Sequence, residues 1–204
     1  MKKNNDLKQI RNLEDWTQGL NKEEALLAVV NRVRDIPFQF IGTRDIESML
    51  KAGVGTCNAK HMLLKELAEK LGYKVRFLVD KFYLSDFLEG LDQKNMKVIK
   101  LKKITSKLKP YYHTYLQIFK NNKWISLDIT FDSFLEKYGL VVASNWDGEN
   151  DTQLPHKPLE THVVEKNPGT FKKNLLIGES EKNIILRKKF FSLLNEYLTS
   201  VRSS

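Results

Sequence analysis

The chain contains a single cysteine, and the position of this residue favours a nucleophile. Cys57 follows a Gly-Val-Gly-Thr segment and begins a helical run that continues to Leu71 and ends at Gly72. Leucines recur along this run at helical spacing. A thiol at a helix N-terminus meets the positive end of the helix dipole, which lowers the pKa of the thiol. This pattern predicts attack by a thiolate. On this feature alone, a packed core cysteine is the alternative.

A thiol nucleophile needs a base, and the chain offers four histidines, at positions 61, 113, 156 and 162. His61 lies one helical turn after Cys57 and could pair with the thiol. A role on the helix surface or at an interface is favoured, because a base in the same helix is poorly aligned for attack in front of that helix. His156 and His162 flank a proline-rich loop with glutamates nearby, which is a weak metal-site pattern. We therefore expect no metal and no cofactor.

A hairpin places the third histidine, His113, opposite a carboxylate. Strand candidates at 111–119 and 124–130 are joined through an Asn-Asn pair, which suits a tight turn. If Phe119 faces Trp124, paired positions sum to 243. His113 and Asp128 are then diagonal neighbours on one face, with Cα atoms roughly 7–8 Å apart. A register shift of one residue would move Asp128 to the other face.

The predicted catalytic residues are therefore Cys57 as nucleophile, His113 as base and Asp128 as the group that orients the imidazole. Asp132 has the same parity as Asp128 and is the rival for this role. Taken singly, His113 could instead be a histidine packed among tyrosines, and Asp128 an ordinary strand-end residue.

The remaining pattern predicts an α+β fold with N-terminal helices, an antiparallel sheet and a C-terminal helix. Apolar periodicity, caps and turn residues predict helices near 7–16, 21–36, 45–51 and 179–201, strands at 74–84, 111–119 and 124–130, and loop over 145–170 with one strand near 161–165. The segment 85–109 is ambiguous. We expect one domain over 1–204, with a core at about 24–132 and an extension at about 145–204.

Composition narrows the setting of the protein. No 18-residue apolar run is present and Met1 to Ile10 is polar, so we expect neither a membrane span nor a signal peptide. One cysteine allows no internal disulfide, which favours a cytoplasmic location.

The net charge of +9 has a focus at residues 94–109, which hold seven lysines and no acid. This run could bind an acidic partner. A solvated insertion or a lysine-guarded edge strand is the favoured interpretation. Aromatic residues are not interleaved with the lysines, so we do not expect nucleic acid as a partner.

Taken together, these motifs resemble the transglutaminase-like superfamily of papain-type cysteine enzymes. The resemblance covers about residues 24–132 and rests on the Gly-x-Gly-x-Cys helix start, the Leu-Gly-Tyr-Lys-Val-Arg-Phe segment after that helix, the strand His113, and Trp-Ile-Ser-Leu-Asp ending at Asp128. It implies a transglutaminase-like, or cysteine-proteinase, fold with the nucleophile helix packed on the sheet. The calcium loop and the paired CxxC zinc ligands of other branches have no counterpart here.

The resemblance also implies a cysteine-dependent amide hydrolase or acyltransferase that works through a thioester on a protein, peptide or amide substrate. Gln39, from the segment before the Cys57 helix, is a candidate side-chain donor to the oxyanion. Tyr111, Tyr115 and Trp146 are candidate lining residues. The alternative is a catalytically inactive binding or scaffold protein that uses the basic 94–109 surface.

Overall fold

A computed structural model describes residues 13–42 and 45–203 of the chain. Of the first predicted helix, Leu7 and Ile10 lie outside the described residues. The helices are α1 (Leu13–Thr17), α2 (Lys22–Arg34), α3 (Ile46–Ala52), α4 (Cys57–Lys70), α5 (Met96–Thr105), α6 (Pro168–Leu175) and α7 (Glu181–Arg202). The strands are β1 (Lys74–Phe82), β2 (Tyr111–Lys120), β3 (Lys123–Leu127) and β4 (Glu160–Val164), and short 3₁₀ helices cover Asp86–Leu88 and Ser133–Tyr138. The predicted α+β class is confirmed.

The four strands form one antiparallel sheet in the order β3-β2-β1-β4. The predicted register of the β2–β3 hairpin is confirmed, since Phe119 pairs with Trp124. Asn121 and Asn122 connect the strands with φ values of 50° and 61°, as a type I′ turn requires. β3 ends at Leu127 rather than continuing to position 130, so Asp128 begins the loop that follows the strand.

α4 packs its apolar face on the sheet, and α2 packs on α4. Asn21 caps α2 through a complete capping box with Glu24, as its sequence predicts. An apolar cluster fills most of the layer between these elements, and its buried members include Leu26, Val29, Val33, Leu63, Leu64, Leu67, Val75, Phe77, Leu116 and Ile118. This layer fixes the axis of α4, and with it the position of the helix start.

The lysine-rich segment is neither a solvated insertion nor an edge strand. It forms α5, whose buried side chains at three-residue spacing are Val98, Leu101 and Ile104. These side chains join a second apolar cluster with Phe190, Leu194 and Leu198 of α7. The helical period was hard to read from the sequence, because exposed lysines fill the positions between the buried apolar residues.

The region after 145 is mostly loop, with β4 at its predicted place. It also contains α6, which was not predicted, although Asn167 caps it and Pro168 begins it. None of the helices in the described ranges combines the length and apolarity needed to cross a membrane.

Candidate active site

The segment before α4 holds Cys57 at the first position of the helix. The backbone N–H of Gly55 donates to the Pro37 carbonyl at 2.9 Å, and the N–H of Gln39 donates to the Gly55 carbonyl at 3.0 Å. A Cβ on Gly55 would lie 2.4 Å from the sulfur of Met49, so any other residue there would displace this buried side chain. Thr56 then caps the helix with its hydroxyl. The half-buried Cys57 side chain is therefore attached to a backbone segment that hydrogen bonds hold in place.

His113 and Asp128 form a short, buried pair, as the hairpin register predicts. His113 Nε2 lies 2.6 Å from Asp128 Oδ2. The other carboxylate oxygen accepts the Thr130 backbone N–H at 2.8 Å, and the Asp128 N–H donates to Thr152 Oγ1 at 2.8 Å. With Nε2 directed at the carboxylate, Nδ1 is the ring nitrogen left for the thiol.

Charges shift the pKa values of all three groups in the directions that a nucleophile and its base require. Burial would raise the pKa of the Cys57 thiol, but the Lys172 ammonium and a hydrogen bond with His113 lower it from 9.0 to about 6. Burial would lower the pKa of His113, but Asp128 and the thiol raise it to about 10. Burial acts to raise the pKa of Asp128, and the imidazolium overrides it and holds that pKa well below its usual range. These shifts favour a thiolate paired with an imidazolium.

A small cavity of about 30 Å³ lies in front of Cys57 and His113. Its wall is largely aromatic and comes from the N-terminal segment, the sheet and the C-terminal helices; it includes Phe38, Phe40, Phe82, Phe87, Tyr111, Tyr112 and Phe191. Lys172 of α6 is 3 % exposed and is the cationic side chain of this wall. The sequence alone did not identify Lys172, because α6 reaches the site only through tertiary packing.

A second buried pair adjoins the first. His156 Nε2 lies 2.9 Å from Asp80 Oδ2, and the His113 and His156 rings are 4.8 Å apart between centroids. Asp80 sits opposite His113 in the β1–β2 register. The sequence signal for Asp80 was a carboxylate directly after the apolar Phe-Leu-Val run of β1. His156 lies in a loop, where no such signal exists.

The sequence favoured a position for His61 on the helix surface or at an interface, and this prediction is wrong. His61 does not pair with the thiol either. It is fully buried, and its Nδ1 donates to the Cys57 carbonyl at 2.7 Å. Its Nε2 accepts the Ile129 N–H at 3.0 Å. Burial lowers the pKa of His61 to about 4, which keeps the ring neutral as these two bonds require. His61 thus ties the nucleophile helix to the loop that carries Asp128.

Lys60 makes a parallel connection beneath the site. Its fully buried ammonium donates to the Arg34 carbonyl at 2.7 Å and to the Thr130 carbonyl at 2.8 Å. Burial lowers the pKa of Lys60 to about 7. α4 is therefore joined by two side chains to the segment that follows β3.

Several other predicted site residues lie elsewhere. Asp132 does not orient His113; it accepts the Phe38 N–H at 2.8 Å and pairs with Arg202. Gln39 and Tyr115 are not among the residues that line the cavity, whereas Tyr111 is. Trp146 packs against the core beside α2 and α4, and its indole N–H donates to the Asn150 carbonyl.

Among the described residues, one group of three side chains lies close enough together to hold a metal ion. Single ligand atoms of His113, Asp128 and His156 all lie within 4.8 Å of one another. His162 does not belong to this group, and its Nε2 lies 3.2 Å from Glu160. Two members of this group, His113 and Asp128, already form the 2.6 Å pair of the candidate triad.

No protein-family model matches the chain, and the curated proteins contain no match. Four chains among the solved structures match it, including the following two. One is a candidate cysteine protease from Cytophaga hutchinsonii, 13 % identical, with a TM-score of 0.41 over 79 % of this chain and 50 % of that chain. The other is a TGase, 11 % identical, with a TM-score of 0.42 over 90 % of this chain and 48 % of that chain. The chain thus spans about half the length of the structures it matches, and the functional argument rests on the geometry of its own site.

Proposed function

We propose that this protein is a transglutaminase-like cysteine enzyme that cleaves an amide through a thioester on Cys57. The observation that carries the proposal is the chain of hydrogen bonds from Cys57 through His113 to Asp128. It lies beside a cavity that the buried ammonium of Lys172 also lines. A thiolate, a base and an orienting carboxylate are the parts that acyl transfer requires.

In the proposed mechanism, the Cys57 thiolate attacks the amide carbonyl carbon, a C–S bond forms, and the π electrons move to the oxygen. When the C=O bond re-forms, the C–N bond breaks and the imidazolium of His113 gives its proton to the leaving amine. Asp128 holds the ring in place throughout. Water or a second amine then attacks the thioester, with His113 accepting the proton of the attacking group, and the thiolate is released.

The protein or peptide nature of the substrate is part of the proposal, as is the choice between hydrolysis and transfer. An activated acyl donor such as p-nitrophenyl acetate separates the two outcomes. Acyl-Cys57 that decays to acetate indicates hydrolysis, and acyl-Cys57 that yields an acetamide with an added amine indicates transfer.

The first test is the rate of Cys57 alkylation by iodoacetamide from pH 4 to 10, in the wild type and in His113→Ala. The single cysteine makes the signal unambiguous. We expect the wild-type rate to rise with a midpoint near pH 6 and the midpoint to move upward in His113→Ala. A thiol with an ordinary midpoint near 8.5, indifferent to His113, would refute the proposed triad.

A second candidate is a binding protein that uses its basic surface. Four lysines, at positions 100, 103, 107 and 189, line one groove between α5 and α7. Such a surface fits an acidic protein partner. Binding that weakens steeply with salt and survives Cys57→Ala, in a protein whose thiol is unreactive, would favour this function over catalysis.

A further inference from the structure

Asn58, the residue that follows the nucleophile, carries an unused hydrogen-bond donor. Its side chain is 1 % exposed and lines the same cavity as Cys57 and His113. Its Oδ1 accepts the Thr114 hydroxyl at 2.8 Å. Its Nδ2 is buried and has no hydrogen-bond partner among the described residues. A buried N–H group without an acceptor is unfavourable, so such a group in a reactive cavity calls for an explanation.

The fold holds this donor in one orientation. Asn58 is the second residue of α4, and Thr114 is the neighbour of His113 in β2. The Thr114 hydroxyl donates to the carbonyl oxygen of the amide and so fixes which end of it remains for a ligand. Because Thr114 is itself fully buried, the amide cannot turn without breaking a buried bond.

Resting on the function proposed above, we propose that Asn58 Nδ2 and the backbone N–H of Cys57 together bind the oxyanion of the tetrahedral intermediate. The first N–H groups of a helix have no intrahelical acceptor, so the N–H of Cys57, the first residue of α4, is free of the helix's own bonding pattern. When Sγ bonds to the carbonyl carbon, negative charge develops on the oxygen, and two fixed donors stabilise it. When the C=O bond re-forms, the oxygen gives up that charge as the amine leaves.

Lys172 is less suited to this role, although its charge is larger. Its ammonium already stabilises the thiolate before attack, as the lowered pKa of Cys57 indicates. An interaction made equally in the ground state does not lower the barrier, whereas the amide of Asn58 is unused until the oxyanion forms. Gln39, the donor expected from the sequence, does not line the cavity.

The test compares two reactions of the same thiol. Acylation by p-nitrophenyl acetate passes through an oxyanion, whereas alkylation by iodoacetamide does not. In Asn58→Ala we expect single-turnover acylation to fall about 10²- to 10³-fold. Alkylation should change less than about twofold, because its rate follows the thiolate population.

Thr114 supplies the second variant, since it leaves Asn58 in place. Thr114→Val should lower acylation about tenfold by releasing the amide, and Thr114→Ser should restore it. Here too alkylation should be unaffected.

The outcomes separate this inference from the function on which it rests. A wild-type thiol that is alkylated but never acylated overturns both. A wild type that is acylated, with Asn58→Ala acylated at the same rate, leaves the enzyme intact and overturns the role of Asn58. Loss of acylation and alkylation together in Asn58→Ala would make Asn58 a structural residue and would also overturn the inference.

Discussion

Two buried histidine–aspartate pairs lie side by side in this protein, and the pKa values of their histidines shift in opposite directions. His113 and Asp128 are 2.6 Å apart, and His156 and Asp80 are 2.9 Å apart. All four side chains are buried. Yet the pKa of His113 is raised to about 10, whereas burial, with repulsion from His113, lowers the pKa of His156 below its ordinary 6.5.

The difference lies in the remaining partners of each pair. Asp128 Oδ1 accepts the Thr130 N–H, and His113 also faces the Cys57 thiolate. In the second pair, the Tyr115 hydroxyl hydrogen-bonds Asp80, and His156 Nδ1 has no hydrogen-bond partner within the described ranges. A nearby carboxylate is therefore not sufficient to raise the pKa of a buried imidazole. The rest of the network must stabilise the charge as well.

The largest expected effect comes from removing each carboxylate in turn. Asp128→Asn should lower acylation of Cys57 about 10²- to 10⁴-fold, because the ring loses both its orientation and its stabilised charge. Asp80→Asn should lower it less than tenfold, since Asp80 contacts a different imidazole.

Asp132→Asn is the matched control for this experiment, because Asp132 serves Phe38 and Arg202 and not His113. Acylation rates of the three variants, measured with p-nitrophenyl acetate, check the prediction. Equal losses in Asp128→Asn and Asp80→Asn would mean that the two pairs act as one unit.

The two histidines should also change stability with opposite dependence on pH. The raised pKa of His113 contributes stability that is complete below about pH 6.5 and is lost as the pH rises toward 10. The lowered pKa of His156 contributes stability that is present above pH 6.5 and is lost as the pH falls. Each contribution changes by at most about 1.4 kcal/mol per pH unit.

Urea unfolding of His113→Gln and His156→Gln from pH 5 to 9 measures this difference. A Cys57→Ser background removes the titration of the thiol. For each histidine, we take the unfolding free energy of the Cys57→Ser protein minus that of the same protein with the glutamine substitution. For His113→Gln this difference should fall as the pH rises. For His156→Gln it should fall as the pH drops. Slopes of the same sign would show that the two pKa values shift in the same direction on folding.

The smallest effect concerns the cation on the thiol side of the first pair. Lys172→Met should raise the pKa of Cys57, because the Lys172 ammonium favours the thiolate. A rise from about 6 to about 7 would lower the thiolate population at pH 6 about fivefold. The alkylation profile measures it, and Lys173→Met, an exposed neighbour, is the control. Identical profiles for both variants would assign the low pKa to His113 alone.

The first pair could be predicted from the sequence and the second could not, for a physical reason. The register of β2 and β3 is set by a two-residue turn and a period of two, both of which are local. The turn and the period are enough to place His113 and Asp128 on one face of the sheet without any tertiary contact. The start of α4 was equally local, since glycines, a cap and an apolar face mark it.

The rest of the site comes together over long chain separations. Asp80 and His156 are hydrogen-bonded across 76 positions, and Lys172 meets Cys57 through the packing of α6. No periodicity encodes such contacts. The buried position of His61 could not be predicted for the same reason, because one of its two hydrogen bonds reaches the loop after β3. α6 is a different case, because its Asn-Pro start was a readable signal.

The mixed origin of the cavity wall has a consequence for how the protein is made. Cys57 leaves the ribosome long before Lys172 and Phe191, the two wall residues contributed by the C-terminal helices. A nascent chain can therefore form its helix and hairpin while the thiol still lacks the cation that lowers its pKa. The full lowering of the thiol pKa would then be reached only when α6 has docked beside Cys57.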